Sequence, residues 1–557
     1  MKGLVDTLGQ PLRPQAPAAP PRARAGLSGG GMANAFPYDA QVPYSQDMND
    51  WQPWLRSPDS EINLDRDRVV ARTRDLVRNN GWAKGGIVTR IADAAIGADF
   101  HPIPTPNWRA LSRFNKAFDA TWAAEYAAAV RSEWTLWADD LNFHSDAART
   151  LTMTQQFYLS YLHFLIDGEC LGMLLWAPER LGRGAARYST ALQGIDPDRL
   201  SNPYQMVDTH DRRGGVQIDN LGAPMGYHIR QAHQNDWYDA DRSMVWDFYP
   251  RETPWGRPIV VHYYDKERDD QHRGNSILTP ILARFKMLDK YDTATLQAAV
   301  LRTIVGFFLK SPYDPEQVRN ALDAGTYGEE ATSTDDAFVG ELGARAAWHA
   351  KHGMSLGGVR MPLLAPGESI ETASGGSHAA DFDAFETSFL RNFAASTGQA
   401  FEEVSGDFRH TNYSSFRGAM LQSWRTLIRR RGSFSARYAA QIYGAWLEEA
   451  LDTHLADALP RNAPDFADMR TAYAHARWIG PGRGWIDPVK EPQGEVLKLD
   501  AALTTLSDST STISGRYYLD ILDEREVEQA QMKARGLRLP DWAGLPAQEV
   551  AVKPEEQ

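Results

Sequence analysis

One stretch of helical periodicity restricts the fold of this chain more than any other feature. From Ser276 to Ile304, apolar residues recur at spacings of three and four, which is the period of a helix with one buried face. They include Ile277, Ile281, Phe285, Leu288, Leu296, Val300 and Ile304. About 29 residues at ~1.5 Å of rise per residue predict a rod of roughly 40–45 Å, which is long for a globular domain.

A second helix is predicted over residues 382–397. Its large apolar residues on one side are Phe382, Phe385, Phe389, Leu390 and Phe393. Between the two helices, segment 311–372 is mixed, rich in glycine and weakly patterned. Two helices that bracket an irregular insert predict a stalk with a small head.

The remaining sequence alternates between helical and extended patterns, which predicts an α+β, mainly helical fold. Further helices are expected over 64–96 (broken near 79–81), 110–137, 154–166, 414–451 (broken at Gly432-Ser433, with Ser414 or Ser415 as N-cap) and 501–535 (two helices separated by 507–515). Strands are expected over 169–176, 216–218, 227–229 and 259–264. Both chain ends are poor in large apolar residues, so they are expected to be flexible.

The net charge of −13, from 59 Lys plus Arg against 72 Asp plus Glu, limits the modes of nucleic-acid binding. A protein that holds DNA tightly normally has a basic balance. The acidic balance therefore argues against static DNA binding. It still allows a surface along which DNA slides, because an acidic wall repels phosphates.

Covalent and membrane features are few. Cys170 is the single cysteine, so neither an intrachain disulfide nor a cysteine zinc site can form. It lies in an apolar run, which favours a small buried side chain over a nucleophile. We see no secretory h-region in Met1–Gln15 and no apolar run near 18 residues. These features predict a soluble intracellular protein.

Enzyme motifs lack the context that they require. Gly353–Gly357 matches G-x-S-x-G, but the following residues, 358–362, cannot open a helix well. A serine hydrolase using Ser355 is therefore an alternative and not the main hypothesis. His349 and His352 have no acidic or cysteine partner in the local pattern, which favours a turn over a metal site. No G-x-x-x-x-G-K-[ST] string occurs. We expect no enzyme activity, no cofactor and no metal.

Six short strings, in this order, carry a resemblance to a known family. They are Asp167-Gly168-Glu169, Gly194 to Leu200, Gly215-Val216 to Tyr227-His228-Ile229, Arg273-Gly274-Asn275-Ser276, Asn412-Tyr413-Ser414-Ser415-Phe416-Arg417 and Trp485 to Glu491. Together they resemble the lambda-type portal proteins of tailed bacteriophages, the head-tail connectors. The resemblance covers roughly residues 63–535.

The resemblance implies a portal fold in a dodecameric ring, with wing, stem, clip and crown around a central channel. The parts it implies are a flexible arm (1–62), the wing (63–275), stem helix 1 (276–304), the clip (305–381), stem helix 2 (382–397), the tunnel loop (398–413), a kinked helix with the wing return (414–494), the crown (495–539) and a flexible tail (540–557). The clip boundaries follow from position alone.

The implied function is a ring at one capsid vertex through which double-stranded DNA is packaged and ejected. The implied partners are other copies of the chain, DNA without sequence preference, a terminase ATPase, the major capsid protein and head-tail adaptor proteins, with no membrane. The protein would be assembled in the host cytoplasm and end in the virion. A minor capsid or adaptor protein that binds no DNA is a further alternative.

The candidate site residues lie in the tunnel loop and on the helix after it. The loop residues are Glu402, Glu403, Asp407, Arg409, His410 and Asn412. The three carboxylates balance the cations Arg409 and His410, which suits a polar loop that touches moving DNA without gripping it. The helix carries an arginine cluster, Arg417, Arg425, Arg429, Arg430 and Arg431, followed by Arg437. These cations predict either phosphate contacts or a solvated face with salt bridges to an adjacent subunit.

Overall fold

The computed structural model describes residues 51–304 except 52 and 183, short segments between 308 and 371, and residues 378–538 except 410 and 486. The short segments are 308–310, 343–344, 347, 353–356, 359–362 and 369–371. The chain divides into two compact units, Met1–Arg56 and Ser57–Gln557. The elements below all belong to the second unit.

Helices dominate this unit. In chain order they are α1 (Pro58–Ile62), α2 (Arg66–Asn79), α3 (Arg90–Ala95), α4 (Trp108–Leu111), α5 (Ala120–Ala138), α6 (Met153–Asp167), α7 (Leu282–Ile304), α8 (His378–Thr397), α9 (Phe401–Ser405), α10 (Tyr413–Phe434), α11 (Ala440–Asp452), α12 (Phe466–Tyr473), α13 (Lys490–Asp500), α14 (Leu506–Ile513) and α15 (Tyr518–Ala534). Two π-helical segments, Trp82–Thr89 and Ser435–Ala439, precede α3 and α11. Short 3-10 turns are Pro178–Arg180, Pro197–Arg199, Pro203–Gln205, Arg242–Met244, Thr279–Ile281 and Ala456–Ala458.

The strands form small antiparallel sheets. They are β1 (His101–Pro104), β2 (Glu169–Trp176), β3 (Thr190–Ile195), β4 (Arg212–Arg213), β5 (Val216–Ile218), β6 (Pro224–Arg230), β7 (Trp246–Pro250), β8 (Val260–Tyr264), β9 (Phe308–Lys310), β10 (Gly353–Leu356), β11 (Val359–Pro362), β12 (Ser369–Glu371) and β13 (Ala476–Ile479). The sheet orders are β3-β2-β8, β4-β5-β6-β7, β1-β13, β10-β11 and β12-β9. The fold is therefore α+β and mainly helical, as expected.

Aromatic side chains from α5, α6 and α11 form the main core. The rings of Trp134, Trp137 and Trp446 contact one another, with centroids 5.1 Å from Trp134 to each of the others and 5.8 Å between Trp137 and Trp446. Phe157 of α6 and Tyr443 of α11 are fully buried beside them. Each large aromatic removes roughly 150–250 Å² from water, so this core can hold the helices without covalent links.

The predictions over 154–176 are confirmed. A capping box at Thr152 and Gln155 starts α6. Gly168 ends it with φ of 87°, and β2 follows directly. Cys170 on β2 is 1 % exposed, and burial raises the pKa of its thiol well above the ordinary value.

A buried charge network joins several of the strings that carry the family resemblance. Glu169, with no exposed area, contacts Arg66 at 2.8 Å, Arg273 at 2.5 Å and His262 at 3.1 Å. Burial alone raises the pKa of Glu169, but the guanidinium groups of Arg273 and Arg66 outweigh it and hold that pKa well below its usual range. These residues therefore hold together α2, β2 and the segment around Arg273 that leads into α7.

Arg74 of α2 makes a second set of ion pairs beside this network. Its guanidinium contacts Asp167 at 2.7 Å, Asp196 at 2.5 Å and Asp198 at 3.3 Å. Two strings far apart in the sequence thus meet at one cation. Their role here is structural.

The long helix predicted over residues 276–304 is shorter in the structure. α7 has 23 residues and begins at Leu282, so its rod measures about 35 Å. A 3-10 turn with Pro280 precedes it. Proline lacks a backbone N–H and is tolerated only in a first helical turn, which explains the later start.

Two other helix predictions were wrong in their bounds. The region 110–137 is not one helix, because α4 ends at Leu111 and Asp119 caps α5 by accepting from Trp122 N at 2.8 Å. The expected separator 507–515 is mostly α14, which Thr505 caps. The short polar side chains there indicated a linker, whereas they serve as caps and helix residues.

The boundary predicted at residue 62 for the flexible arm was wrong. α1 lies within the predicted arm, and its Asp59 is 4 % exposed. The Asp59 carboxylate accepts from the backbone N of His272 at 3.0 Å and contacts that ring at 2.8 Å. This buried anchor shows that the ordered unit starts before the predicted boundary. Residues 1–50 and 539–557 lie outside the described residues.

Ser355 lies in a hairpin. β10 pairs with β11, with Ser355 opposite Arg360. The segment after the motif is thus a strand and not the helix that a nucleophile elbow requires, which removes the support for a serine hydrolase. His349, His352 and most of the predicted clip lie outside the described residues. Among the described helices, none has the length and hydropathy of a membrane span.

Candidate functional site

The candidate site begins where α8 ends. Thr397 Oγ1 donates to Phe393 O at 2.9 Å, and Gly398 follows with φ of 73°. A positive φ is readily adopted by glycine, so the chain turns sharply at this point. The next residues were predicted as one irregular loop over 398–413, but the structure places α9 inside it.

Glu402 and Glu403 both contact their own segment. Glu403 accepts from the backbone N of Ala400 at 2.9 Å and so caps α9. Glu402 accepts from Thr411 Oγ1 at 3.2 Å, across the loop. These two carboxylates therefore stabilise the shape of the segment.

α9 rests on the π-helical segment Trp82–Thr89 and on α3. Val404 is 1 % exposed, and a Cβ at Gly86 would lie 2.7 Å from Val404 O. Arg90 of α3 donates to Glu403 O. The close approach of the two backbones requires glycine at position 86. Together with the Arg90 hydrogen bond, it holds α9 against the π-helical segment.

Beyond α9, the loop exposes an ion pair. Arg409 contacts Asp407 at 2.8 Å and Asp383 of α8 at 3.8 Å, and its side chain is 69 % exposed. Asn412 caps α10 by accepting from Ser415 N at 2.8 Å, so the cap is Asn412 and neither of the serines that the sequence suggested. His410 lies outside the described residues.

Three arginines of the cluster are structural. Arg430 donates to Thr397 O at 2.7 Å, and Arg431 donates to Ala94 O at 2.6 Å. Burial lowers the pKa of Arg431 to about 10. Arg437 donates to Tyr264 O at 2.8 Å. These cations satisfy backbone carbonyls and are not available to an external ligand.

The other three arginines are exposed. Arg417 contacts Glu491 at 3.5 Å, and Arg429 contacts Asp265 at 2.9 Å. Arg425 is exposed and makes no hydrogen bond or ion pair with other residues that the structure describes. The arrangement thus leaves Arg425 as a cation available to a phosphate, with two weakly held cations on the same helix.

α10 is continuous with α11 through the π-helical segment Ser435–Ala439. The predicted break at Gly432-Ser433 was therefore wrong, because Gly432 lies inside α10. The helix is irregular three residues after Gly432, where the wider π-helical turn begins at Ser435. Such π segments are rare and occur mostly as single turns within α-helices.

Exposed aromatic residues of the site were missed from the sequence. Phe408 is 52 % exposed and packs edge to face on Phe416, with centroids 5.4 Å apart. Tyr413 is 47 % exposed. An aromatic residue in an otherwise polar loop was the available signal in the sequence.

Two clusters of aspartate and histidine elsewhere have ligand atoms close enough together to hold a metal ion. They are His163, Asp167, Asp196 and Asp196, Asp198, His233, with donor atoms within 4.8 Å. In both, the Arg74 guanidinium already contacts the carboxylates. Its charge takes the position that a metal cation would need, so neither group is assigned as a metal site.

The comparison with known families identifies the chain. The family model described as phage portal protein, lambda family, matches residues 44–431. This range includes α7, α8, residues 398–413 and nearly all of α10. The chain belongs to the lambda family of phage portal proteins.

Individual relatives agree with this family. The portal protein of Escherichia phage N15 is 29 % identical over 506 residues, covering 91 % of this chain and 92 % of that protein. Portal protein B of Escherichia phage lambda is 28 % identical over 522 residues, covering 94 % and 92 %. Among solved structures, the neck of a native gene transfer agent particle computed with C12 symmetry has a TM-score of 0.40 and 12 % identity, covering 80 % of this chain and 92 % of that one.

The family membership confirms the resemblance. Portal proteins are structural proteins of the phage particle, so the expectation of a protein without enzyme activity is confirmed by the family. The expected homo-oligomeric ring and the place in the virion are confirmed at the same level.

Proposed function

We propose that this chain forms a dodecameric ring at one capsid vertex and that double-stranded DNA passes through its channel during packaging and ejection. We further propose that segment 398–413 and the exposed face of α10 line that channel. The family match over residues 44–431, which contains both, is the observation that carries the proposal.

The charges of the segment suit a sliding contact. Arg409 is paired with Asp407, while Glu402 and Glu403 accept hydrogen bonds from their own segment. Each unpaired cation that binds a phosphate adds salt-dependent affinity. A segment with paired charges adds little, so DNA can move past it.

Arg425 supplies the remaining phosphate contact, helped by Arg417 and Arg429. The Arg429 side chain is 59 % exposed and its partner Asp265 is 34 % exposed, and a pair this open to solvent contributes about 0–1 kcal/mol, so a phosphate can replace the carboxylate of Asp265 at little cost. The Arg417 side chain is 46 % exposed, whereas its partner Glu491 is 4 % exposed and keeps a second contact with Arg483. Contacts to phosphates carry no sequence information, as passage of a whole genome requires.

The proposed portal ring implies several partners. A terminase ATPase would dock on the ring, since the sequence contains no P-loop string for ATP hydrolysis. The major capsid protein would surround the wing (63–275), and head-tail adaptor proteins would later bind the clip (305–381). The crown (495–539) would face the capsid interior. Assembly would take place in the host cytoplasm.

Mass measurement and electron microscopy of the purified full chain, at low and moderate salt, test the ring. Rings of about twelve subunits with an open axial channel of DNA width are expected. A monomer or dimer under every condition would overturn the proposal. Rings without a channel wide enough for DNA would favour an adaptor protein that binds no DNA.

The channel lining has its own test. Arg409→Glu and Arg425→Glu, each in the full chain, should impair DNA packaging while rings still assemble. Lys266→Glu, an exposed cation outside the segment, is the matched control and should package normally. Loss of ring assembly in the Arg409 or Arg425 variants would show a structural role for these residues instead.

A further inference from the structure

A large acidic groove lies between α5 and α6. Its volume is about 1470 Å³, and it also touches residues 97–102, which follow α3, and the first turn of α15. Four aspartates line it, Asp93, Asp99, Asp139 and Asp520, against one guanidinium, that of Arg131. The groove therefore carries an excess of negative charge.

Most of these carboxylates have partners, but one does not. Arg131 contacts Asp520 at 2.9 Å, and Asp93 accepts from the Tyr158 hydroxyl at 2.8 Å. Asp139 makes no hydrogen bond through its carboxylate and no ion pair within the described part of the chain. Its partial burial and the nearby Asp99 raise the pKa of the Asp139 carboxyl. A cation brought into the groove would relieve this repulsion.

The groove also has an apolar lip and a second accessible acid. Leu159 of α6 lines it and is 44 % exposed. Asp99 is 63 % exposed and contacts the His101 ring at 2.7 Å. An occupant should therefore combine positive charge with an apolar side chain.

A surface with that combination exists elsewhere on the same chain. We call residues 109–116, from α4 into the turn before α5, the basic knob. Arg113 and Lys116 are exposed, and neither makes an ion pair with described residues. Between them Phe114 is 64 % exposed, so the knob presents an apolar ring flanked by two cations. Arg109 lies beside the Trp108 ring at 5.3 Å.

The knob of one copy does not line its own groove. The knob precedes α5, whereas the groove is lined from Ala128 to Asp139, along α5 and just past its end. Along α5, Ala120 lies about 12 Å from Ala128 and about 22 Å from Thr135. The knob is therefore free to fill the groove of another copy.

We propose that the basic knob of one subunit docks in the acidic groove of the next subunit of the ring. Arg113 and Lys116 then face Asp99 and Asp139, and Phe114 packs on Leu159. Because knob and groove are different surfaces, the contact is head-to-tail, the type that closes into rings. The inference rests on the proposed portal ring and names a contact that holds it together.

Cross-linking of the full chain tests the contact. Lys116 and Thr135 are both exposed, so Lys116→Cys/Thr135→Cys places one thiol on the knob and one in the groove. Ala120, which follows the knob, and Thr135 are about 22 Å apart along α5, which is beyond the reach of a short bis-maleimide, so the reagent should not join the two thiols inside one copy. The native Cys170 is 1 % exposed and should not react.

A short bis-maleimide should produce a ladder of covalent multimers up to the full ring, and each single variant should give none. Arg72→Cys/Thr135→Cys, which moves the first thiol to exposed α2, is the matched control.

Charge exchange gives an independent readout. Arg113→Glu/Lys116→Glu should lower the fraction of rings in micrographs at least several-fold. Adding Asp99→Lys/Asp139→Lys in the same chain should restore it. Wild-type rings without a ladder in the double cysteine variant, and with no effect of charge reversal, would overturn the docking contact alone. The absence of rings in the unmodified protein would overturn the portal ring as well.

Discussion

The buried pair of Arg273 and Glu169 allows a stability prediction with a magnitude. In Arg273→Met, the apolar chain replaces the guanidinium with little loss of volume, so the cavity contribution is small. Glu169 loses a 2.5 Å ion pair but keeps Arg66 at 2.8 Å and His262 at 3.1 Å. Removal of one partner from a buried pair costs about 3–5 kcal/mol. Because Glu169 keeps two partners, we take the lower end, about 3 kcal/mol, for the loss of this ion pair.

The same substitution leaves backbone carbonyls without a donor. Arg273 donates to Leu200 O at 2.7 Å and to Pro197 O at 3.1 Å. Each buried acceptor that loses its donor costs about 1–3 kcal/mol. We therefore expect Arg273→Met to lower the free energy of unfolding by about 5 kcal/mol. For a unit this large, that loss corresponds to a fall in melting temperature of roughly 5–10 °C.

The assay is a thermal melt of the full chain followed by tryptophan fluorescence. Arg516→Met is the matched control, because its ion pair with Glu524 is 45 % and 60 % exposed. An exposed pair contributes about 1 kcal/mol or less. If Arg273→Met melts within a degree of Arg516→Met, the network does not anchor the fold, and the argument from its burial is refuted.

Three further predictions concern single positions. Gly168→Ala should cost about 3 kcal/mol or more and lower the melting temperature, because φ is 87° and the new Cβ would lie 2.3 Å from the Asn275 backbone; an unchanged melt would contradict this. The hydrogen bond to Asp59 raises the pKa of His272, so the stability it adds is present below the ordinary pKa near 6.5 and is lost as pH rises through the higher folded value. Hydrogen-exchange protection of α1 should therefore fall with rising pH, after correction for intrinsic rates, and His272→Gln should remove that dependence. Arg425→Ala should reduce the slope of the salt dependence of non-specific DNA binding by about one for each phosphate that Arg425 neutralises; an unchanged slope in titrations with duplex DNA would exclude Arg425 from the channel surface.

Elements with strong periodicity and clear end signals could be predicted from the sequence. α6 and β2 were placed within a residue or two because Gly168 marks the boundary between them. α8 was found by its row of phenylalanines, although it begins earlier, at His378. The start of α7 was misplaced since periodicity continues through Pro280, where the chain forms a 3-10 turn.

The candidate site was predicted less well, because its contacts are long-range. In the sequence, Arg430 and Arg431 look the same as Arg425, because all three are arginines within one predicted helix. Their partners are the carbonyls of Thr397 and Ala94, which lie 33 and 337 residues away. No local pattern distinguishes an arginine that satisfies a distant carbonyl from one that faces solvent. Only the folded arrangement separates Arg425 from its neighbours.

The strings that carried the family resemblance are mostly not the residues proposed to meet DNA. Glu169 and Arg273 lie in the buried charge network and Asp167 in the ion pairs beside it, where removal of any one leaves a buried charge with fewer partners. Such positions tolerate little change, so they produce recognisable sequence strings. A surface along which DNA slides has the opposite requirement, since it needs paired charges and no specific base contact. Several sequences meet that requirement equally well, which is why residues 398–411 carry none of the six strings even though they belong to the part proposed to touch the genome.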